Sequence, residues 1–228
     1  MLATGSVYLQ LLRPRHWVKN VFILAGLIFS QEWGNTNLLC NVLLAVVAFS
    51  LASSAIYVVN DFFDREFDRL HPRKALRPLA SGTADPAVAL TIAAVAGSLA
   101  LLIAAMVSKN LLLIITAYLS LNVAYTLWLK YIPILDVFAM SLGFFLRLLA
   151  GTAGVGNEPS GWLLLCGLLI TLFLGFAKRR AESEFLDKNA GGHRKVLDHY
   201  DEVLLNYLIA ICAGATIVTY GLYTVDPH

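Results

Sequence analysis

At 228 residues, 58% hydrophobic and only 14% charged, the chain is too apolar to be a soluble domain of its length and reads as an integral membrane protein. The formal net charge of +2 says little by itself, because the basic residues are segregated along the chain. Apolar stretches long enough to cross a hydrocarbon core of roughly 30 Å recur throughout. The expected fold is therefore all-α, a polytopic transmembrane helical bundle forming a single domain over residues 1–228.

Seven spans are predicted, at 16–30, 38–59, 86–107, 110–129, 134–154, 161–177 and 202–224, the first of them short. Of the 17 Lys and Arg residues, fifteen fall on one side of this arrangement, Lys109 alone on the other, and Arg147 inside a span. Cytoplasmic loops carry such an excess, which puts the amino terminus and the charged connections on the cytoplasmic side of an inner or plasma membrane. That basic side would also favour anionic headgroups and phosphorylated substrates.

Ahead of the first span lies Arg13-Pro14-Arg15-His16-Trp17-Val18-Lys19-Asn20. Basic and Trp residues at a span end are ordinary interfacial anchors; Lys19 and Asn20, already entering the helix, are the candidates to reach a site. A basic start before apolar residues could be mistaken for a signal peptide, but no small-residue cleavage site follows before Trp33.

The second span runs into Asn60-Asp61-Phe62-Phe63-Asp64-Arg65-Glu66-Phe67-Asp68. Steps of three and four place Asp61, Asp64 and Asp68 on one helix face, where they repel unless cations sit between them. Hard oxygen ligands of this kind suit Mg²⁺, which keeps several waters and is commonly completed by substrate phosphates. A solvated acidic end paired with Arg65 and Arg69 is the alternative. Against it stands the basic run His71-Pro72-Arg73-Lys74-Ala75-Leu76-Arg77-Pro78, suited to phosphate.

Asp85 and Pro86 are expected to cap and begin the third span, and Pro133 to begin the fifth in the same way. Ser108-Lys109-Asn110 is so short that the third and fourth spans must form an antiparallel hairpin. In the fifth span Asp136, Met140, Gly143, Arg147 and Gly151 fall on one stripe, which must face protein or water because a charge at mid-membrane costs about 2.5 to 3.5 kcal/mol. A direct Asp136–Arg147 contact is disfavoured by about 16 Å of intervening helix. Lys178-Arg179-Arg180-Ala181-Glu182 closes the sixth span. His193, Arg194 and His199 follow in a loop with no defensible zinc spacing, and Cys40, Cys166 and Cys212 read as packing residues. An apolar pair of spans leading to the acids near 60 and a later pair leading to Asp136 faintly suggest an internal repeat.

The row Asn60-Asp61-x-x-Asp64-x-x-x-Asp68 resembles the first signature of the UbiA-type polyprenyl transferases. The segments around Arg13–Asn20 and Asp68–Gly82, Lys130 with Asp136 and Arg147, and Lys178–Glu182 are similar to the decaprenyl-phosphate phosphoribosyltransferase branch, and the likeness covers essentially the whole chain. It departs from the broader family in having Met140 where a second Asp is usual, a feature that branch shares. The family also has nine spans against the seven counted, so either the carboxyl-terminal pair is missing here or the chain is naturally short.

The resemblance implies a membrane-embedded transferase with a cytoplasmic site. The expected reaction is Mg²⁺-dependent transfer of 5-phosphoribose from phosphoribosyl diphosphate to a polyprenyl phosphate for a cell-envelope precursor. Asp61, Asp64 and Asp68 would hold the metal, with Asn60 orienting them and Asp136 beside the ribose. Lys19, Asn20, Arg73, Lys74, Arg77, Tyr125, Lys130, Arg147, Lys178 and Arg179 would bind substrate. Membrane lipids are the other expected partners, and no nucleic acid is expected. Aromatic prenylation would use the same acids. An ion-coupled transporter would instead need ionisable residues spread in depth, whereas only Arg147 lies deep.

Overall fold

The computed structural model describes residues 2–30, 32, 34–187 and 200–225. They form eight α-helices: α1 (Leu2–Leu12), α2 (Ala25–Ser30), α3 (Thr36–Arg69), α4 (Pro86–Val107), α5 (Lys109–Leu127), α6 (Leu135–Ala150), α7 (Gly161–Asp187) and α8 (Glu202–Val225). The turns between α5 and α6 and after α3 include short 3₁₀ pieces, and a longer 3₁₀ helix, Pro14–Leu24, precedes α2. Among the described residues no strand occurs.

Among the described residues six helices are long and apolar enough to cross a membrane: Thr36–Arg69, Pro86–Val107, Lys109–Leu127, Leu135–Val155, Gly161–Ser183 and Glu202–Val225. The count of seven is therefore corrected to six, the first predicted span being the exception. It is not one continuous α-helix, and the reason is legible in its packing. Trp17, Asn20, Ile23 and Gly26 recur every three residues, the period at which 3₁₀ side chains eclipse. Trp17 bonds to Ser54 at 3.0 Å and Asn20 to Ser50 at 2.9 Å, Ile23 is fully buried, and a Cβ on Gly26 would lie 2.2 Å from the Gly151 carbonyl oxygen. The tighter helix keeps Trp17, Asn20 and Ile23 on one line against α3 and α6, and Gly26, at the start of α2, continues that line against Gly151.

α3 is the hub, packing against α1, the 3₁₀ segment, α4 and α5. Its partner α4 divides cleanly by residue size. Ala89, Ala93, Ala96, Ala100 and Ala104 are buried, whereas Val95, Leu99, Leu102 and Met106 on the other side are 44–77% exposed. Small residues let two backbones approach where lipid supplies no hydrophobic drive, and the bulky chains face the acyl phase. The α4–α5 hairpin is as predicted. Ser108 accepts from the Leu111 N–H at 2.9 Å and donates to the Gly154 carbonyl at 2.6 Å, while Asp85 caps α4 through Ala87 and Val88.

Pro133 does not begin its helix. Between Pro133 and Leu135, Ile134 takes φ 69°, and the Leu135 N–H returns to the Pro133 carbonyl at 2.8 Å, a γ-turn. A β-branched residue at positive φ stores strain of about 1–3 kcal/mol and persists only when its surroundings over-determine it.

Candidate active site

At 34 residues and 1.5 Å each, α3 is about 50 Å long, so its last turns extend past a roughly 30 Å hydrocarbon layer and carry the acid row out of it. Asp61 and Asp68 are 2% and 3% exposed, and neither is left as a bare charge. Arg13 reaches both Asp61 oxygens at 2.6 Å. Arg77 Nη1 lies 2.6 Å from Asp68 and 3.1 Å from Asp61, and Lys74 Nζ lies 3.9 Å from Asp68. Asp64, more open, takes Lys130 at 2.6 Å, and Asn60 accepts from Thr126 at 3.4 Å.

Arg13 was not among the candidate site residues. It sits at φ 49°, a left-handed conformation that turns the chain from α1 into the 3₁₀ segment. Ser54, donating to the Leu12 carbonyl at 2.8 Å while accepting from Trp17, fixes that corner. Arg13 and Ile134 are the only non-glycine residues at positive φ among those described. Both lie at this end of the bundle, where strain is held by ion pairs and hydrogen bonds rather than relaxed.

A second ionic group closes α6 against α7. Asp136 is fully buried, and its oxygens are taken by Arg179 at 2.7 Å and by the Tyr200 hydroxyl. The same hydroxyl accepts from the Ile134 N–H at 2.6 Å, which explains how the strained turn is retained. Burial, and then the bond to Asp136, push the Tyr200 phenol well above its usual pKa, so it remains a donor. Arg179 also bonds to Glu182 and approaches Met140 Sδ at 3.7 Å. Sequence reasoning missed Tyr200, 64 residues away from Asp136, because no local pattern links the two.

Four of the expected site residues are engaged within the protein in this structure. Asp136 and Arg179, expected at the substrate, are fully buried and paired with each other, with Tyr200 and Glu182 as their further partners. Asn20 and Arg147 are joined at 2.9 Å in the core, where Arg147 also bonds to the Gly143 carbonyl at 2.8 Å and Tyr118 at 3.1 Å and stacks near Phe49 and Phe144. None of the four offers an open polar edge. By contrast Lys19, Arg73 and Lys178 are exposed and Tyr125 half-buried. Lys19 and Arg73 have no acidic partner among the described residues, and Lys178 meets Glu182 only at 3.9 Å. His16, edge-on to Tyr57, has a lowered pKa from burial and then from Lys19, Arg13 and Arg77. His193, Arg194 and His199 lie outside the described residues.

Among the described residues no three acids converge closely enough to hold an ion. Two buried carboxylates nevertheless meet on one guanidinium nitrogen, with Asp64 one turn from each. A single positive centre bridging oxygens of separate residues is the donor chemistry a hard divalent cation requires, so the row fits such an ion.

A UbiA prenyltransferase family model matches residues 20–194, and the chain belongs to that family. It is a multi-pass membrane transferase. The chain is 35% identical over 229 aligned positions to the decaprenyl-phosphate phosphoribosyltransferase of Mycobacterium tuberculosis, covering 99% of this chain and 75% of that protein. It is 34% identical to the enzyme of the same name from Corynebacterium glutamicum, covering 99% and 68%. A UbiA homolog from Archaeoglobus fulgidus, solved bound to GPP and Mg²⁺, superposes with a TM-score of 0.79 at 19% identity over 97% of this chain and 79% of that one, a likeness of fold.

Proposed function

We propose that this protein transfers 5-phosphoribose from phosphoribosyl diphosphate to a polyprenyl phosphate, at a site on the cytoplasmic face of the membrane. The bond from C1 of the ribose to the diphosphate oxygen breaks, diphosphate leaves with the electron pair, and an oxygen of the lipid phosphate bonds to C1. The observation that carries this reading is a surplus of cations. Arg13, Lys74, Arg77 and Lys130 already answer the three acids, and Lys19 and Arg73 have no acidic partner among the described residues. A donor bearing a diphosphate and a separate phosphate, acting together with an acceptor that carries its own phosphate, uses that surplus, whereas an isoprenoid diphosphate with an aromatic acceptor leaves part of it idle. The similarity to two decaprenyl-phosphate phosphoribosyltransferases supports the same choice.

Mg²⁺, when bound, would neutralise the diphosphate leaving group. Asp61 and Asp68 would hold it in place of the Arg77 nitrogen they now share, releasing Arg77 to the phosphate oxygens together with Lys74 and Arg73. Lys130 answers charge developing on the leaving group. Asp64 is 24% exposed in its side chain and paired only with Lys130, so it is the carboxylate with access to the ribose as its ring becomes positive. Asp136 acts at one remove, by anchoring the loop that carries Lys130. The acceptor needs no strong base, since a phosphate monoester with a second pKa near 6 is already largely anionic at neutral pH.

Membranes containing the protein, given labelled phosphoribosyl diphosphate and polyprenyl phosphate, are expected to form a labelled lipid and diphosphate. A prenylated aromatic acid in a parallel incubation, with no labelled lipid in the first, overturns the assignment in favour of aromatic prenylation.

A further inference from the structure

The 3₁₀ segment Pro14–Leu24 repeats every three residues, so it has three sides rather than the continuous circumference of an α-helix. One row, Trp17, Asn20 and Ile23, faces α3 and α6. A second, Val18 and Val21, is 71% and 53% exposed and apolar, as the perimeter of a bundle in lipid should be. The third row, together with the corner residue before it, reads Arg13, His16, Lys19, Phe22, passing from charge to aromatic ring. This row lies at the seam between the packed side and the open side, with Tyr57 of α3 against His16 and Phe144 of α6 against Phe22, ring centroids 5.1 and 5.2 Å apart.

The strongest charged neighbours of His16 are Lys19, Arg13 and Arg77, and those of Lys19 are Arg147, Lys178 and Arg13, all cations. Of the two His16 ring nitrogens, Nδ1 is sealed from solvent without a partner. A dry lone pair is tolerated better than a dry N–H, which places the imidazole proton on Nε2, toward the open side. A directed donor among cations, above an aromatic wall, is suited to one ligand type: a phosphate monoester on an apolar chain, entering sideways from lipid.

We propose that His16 and Lys19 bind the phosphate of the acceptor lipid, with the first isoprene units lying along Phe22 and Phe144, apart from the donor's phosphates at Arg73, Lys74 and Arg77. This rests on the phosphoribosyl-transfer reading above. The donor's 5-phosphate has the same chemistry, so the test separates the two sources. Wild-type, His16→Ala, His16→Gln and Lys19→Met proteins in nanodiscs are titrated separately with farnesyl phosphate and with phosphoribosyl diphosphate, folding being checked by gel filtration.

His16→Ala and Lys19→Met are expected to weaken farnesyl phosphate about tenfold or more, the scale of a charge-assisted hydrogen bond, while donor affinity changes less than about twofold. Gln, whose amide reaches the Nε2 position, is expected to restore most of the loss. Unchanged farnesyl phosphate binding in the first two variants, or a loss confined to phosphoribosyl diphosphate, overturns this assignment and leaves the parent reaction standing. A wild-type protein that binds no farnesyl phosphate and forms no labelled lipid overturns both.

Discussion

Removing one oxygen atom at Tyr200 tests whether the second ionic group holds the site together. In Tyr200→Phe the ring remains, but Asp136 loses its hydroxyl partner and the Ile134 N–H loses its acceptor. A hydrogen bond to a buried carboxylate contributes about 1.5–3 kcal/mol, and an N–H left dry costs about 1–3 kcal/mol. Part of this is offset when the γ-turn at Ile134 relaxes, since its strain is itself about 1–3 kcal/mol. The net expectation is a loss of about 3 kcal/mol, or roughly 6–12 °C in Tm for a chain of this size. Thermal unfolding in nanodiscs, followed by tryptophan fluorescence, measures it. Tyr207→Phe is the control, because Tyr207 is 65% exposed on the same helix as the residues flanking the site. Turnover should fall as well, since Lys130 sits on the loop that Ile134 closes. A Tyr200→Phe Tm within about 2 °C of the control would refute the view that this hydroxyl retains the turn.

Three further outcomes are expected. Asp64→Asn should lower labelled-lipid formation at least a hundredfold, because it removes the accessible carboxylate and leaves Lys130 unpaired, yet it should elute as a folded protein; near wild-type rates would remove Asp64 from the reaction. Chelation with EDTA should abolish transfer and weaken donor binding in calorimetry, and added Mg²⁺ should restore both; donor heats unaffected by chelation would dismiss the metal. Gly151→Ala should cost several kcal/mol and reduce folded yield, because the new Cβ would fall 1.7 Å from the Ile23 carbonyl oxygen; a normal yield would mean the two backbones do not meet there.

The parts of this molecule that were readable in advance share a cause: their signals are local. Asp61, Asp64 and Asp68 share a face because helical spacing says so, Asp85 caps α4 because its side chain reaches two residues on, and Ser108 permits only a hairpin. What escaped notice depends on distant partners. Asp136 looked catalytic because a buried acid in a membrane helix demands an explanation, and the explanation came from Arg179 and Tyr200, 43 and 64 positions away. Asn20 and Arg147, expected at the substrate on the same reasoning, are 127 positions apart and bond to one another. A buried polar residue announces that it has a partner without announcing which one.

The first span failed differently, through an assumed period. Read at 3.6 residues per turn, residues 16–30 scatter Trp17, Asn20, Ile23 and Gly26 around a helix and bring no face into view. Read at 3.0, they align against Ser54, Ser50 and Gly151, and the same rotation separates lipid-facing valines from the row Arg13, His16 and Lys19. The tighter winding thereby does two jobs that an α-helix of this sequence could not combine. It lets the Ile23 backbone approach Gly151, and it keeps charged side chains off the lipid face without burying them in the core. Reverting the segment to α geometry would rotate successive members of that row by about 60° per turn relative to one another, which would carry Lys19 away from His16 and toward either the acyl chains or Asn20. The charge pattern of Arg13, His16 and Lys19 is thus better explained by the three-sided helix than by interfacial anchoring alone.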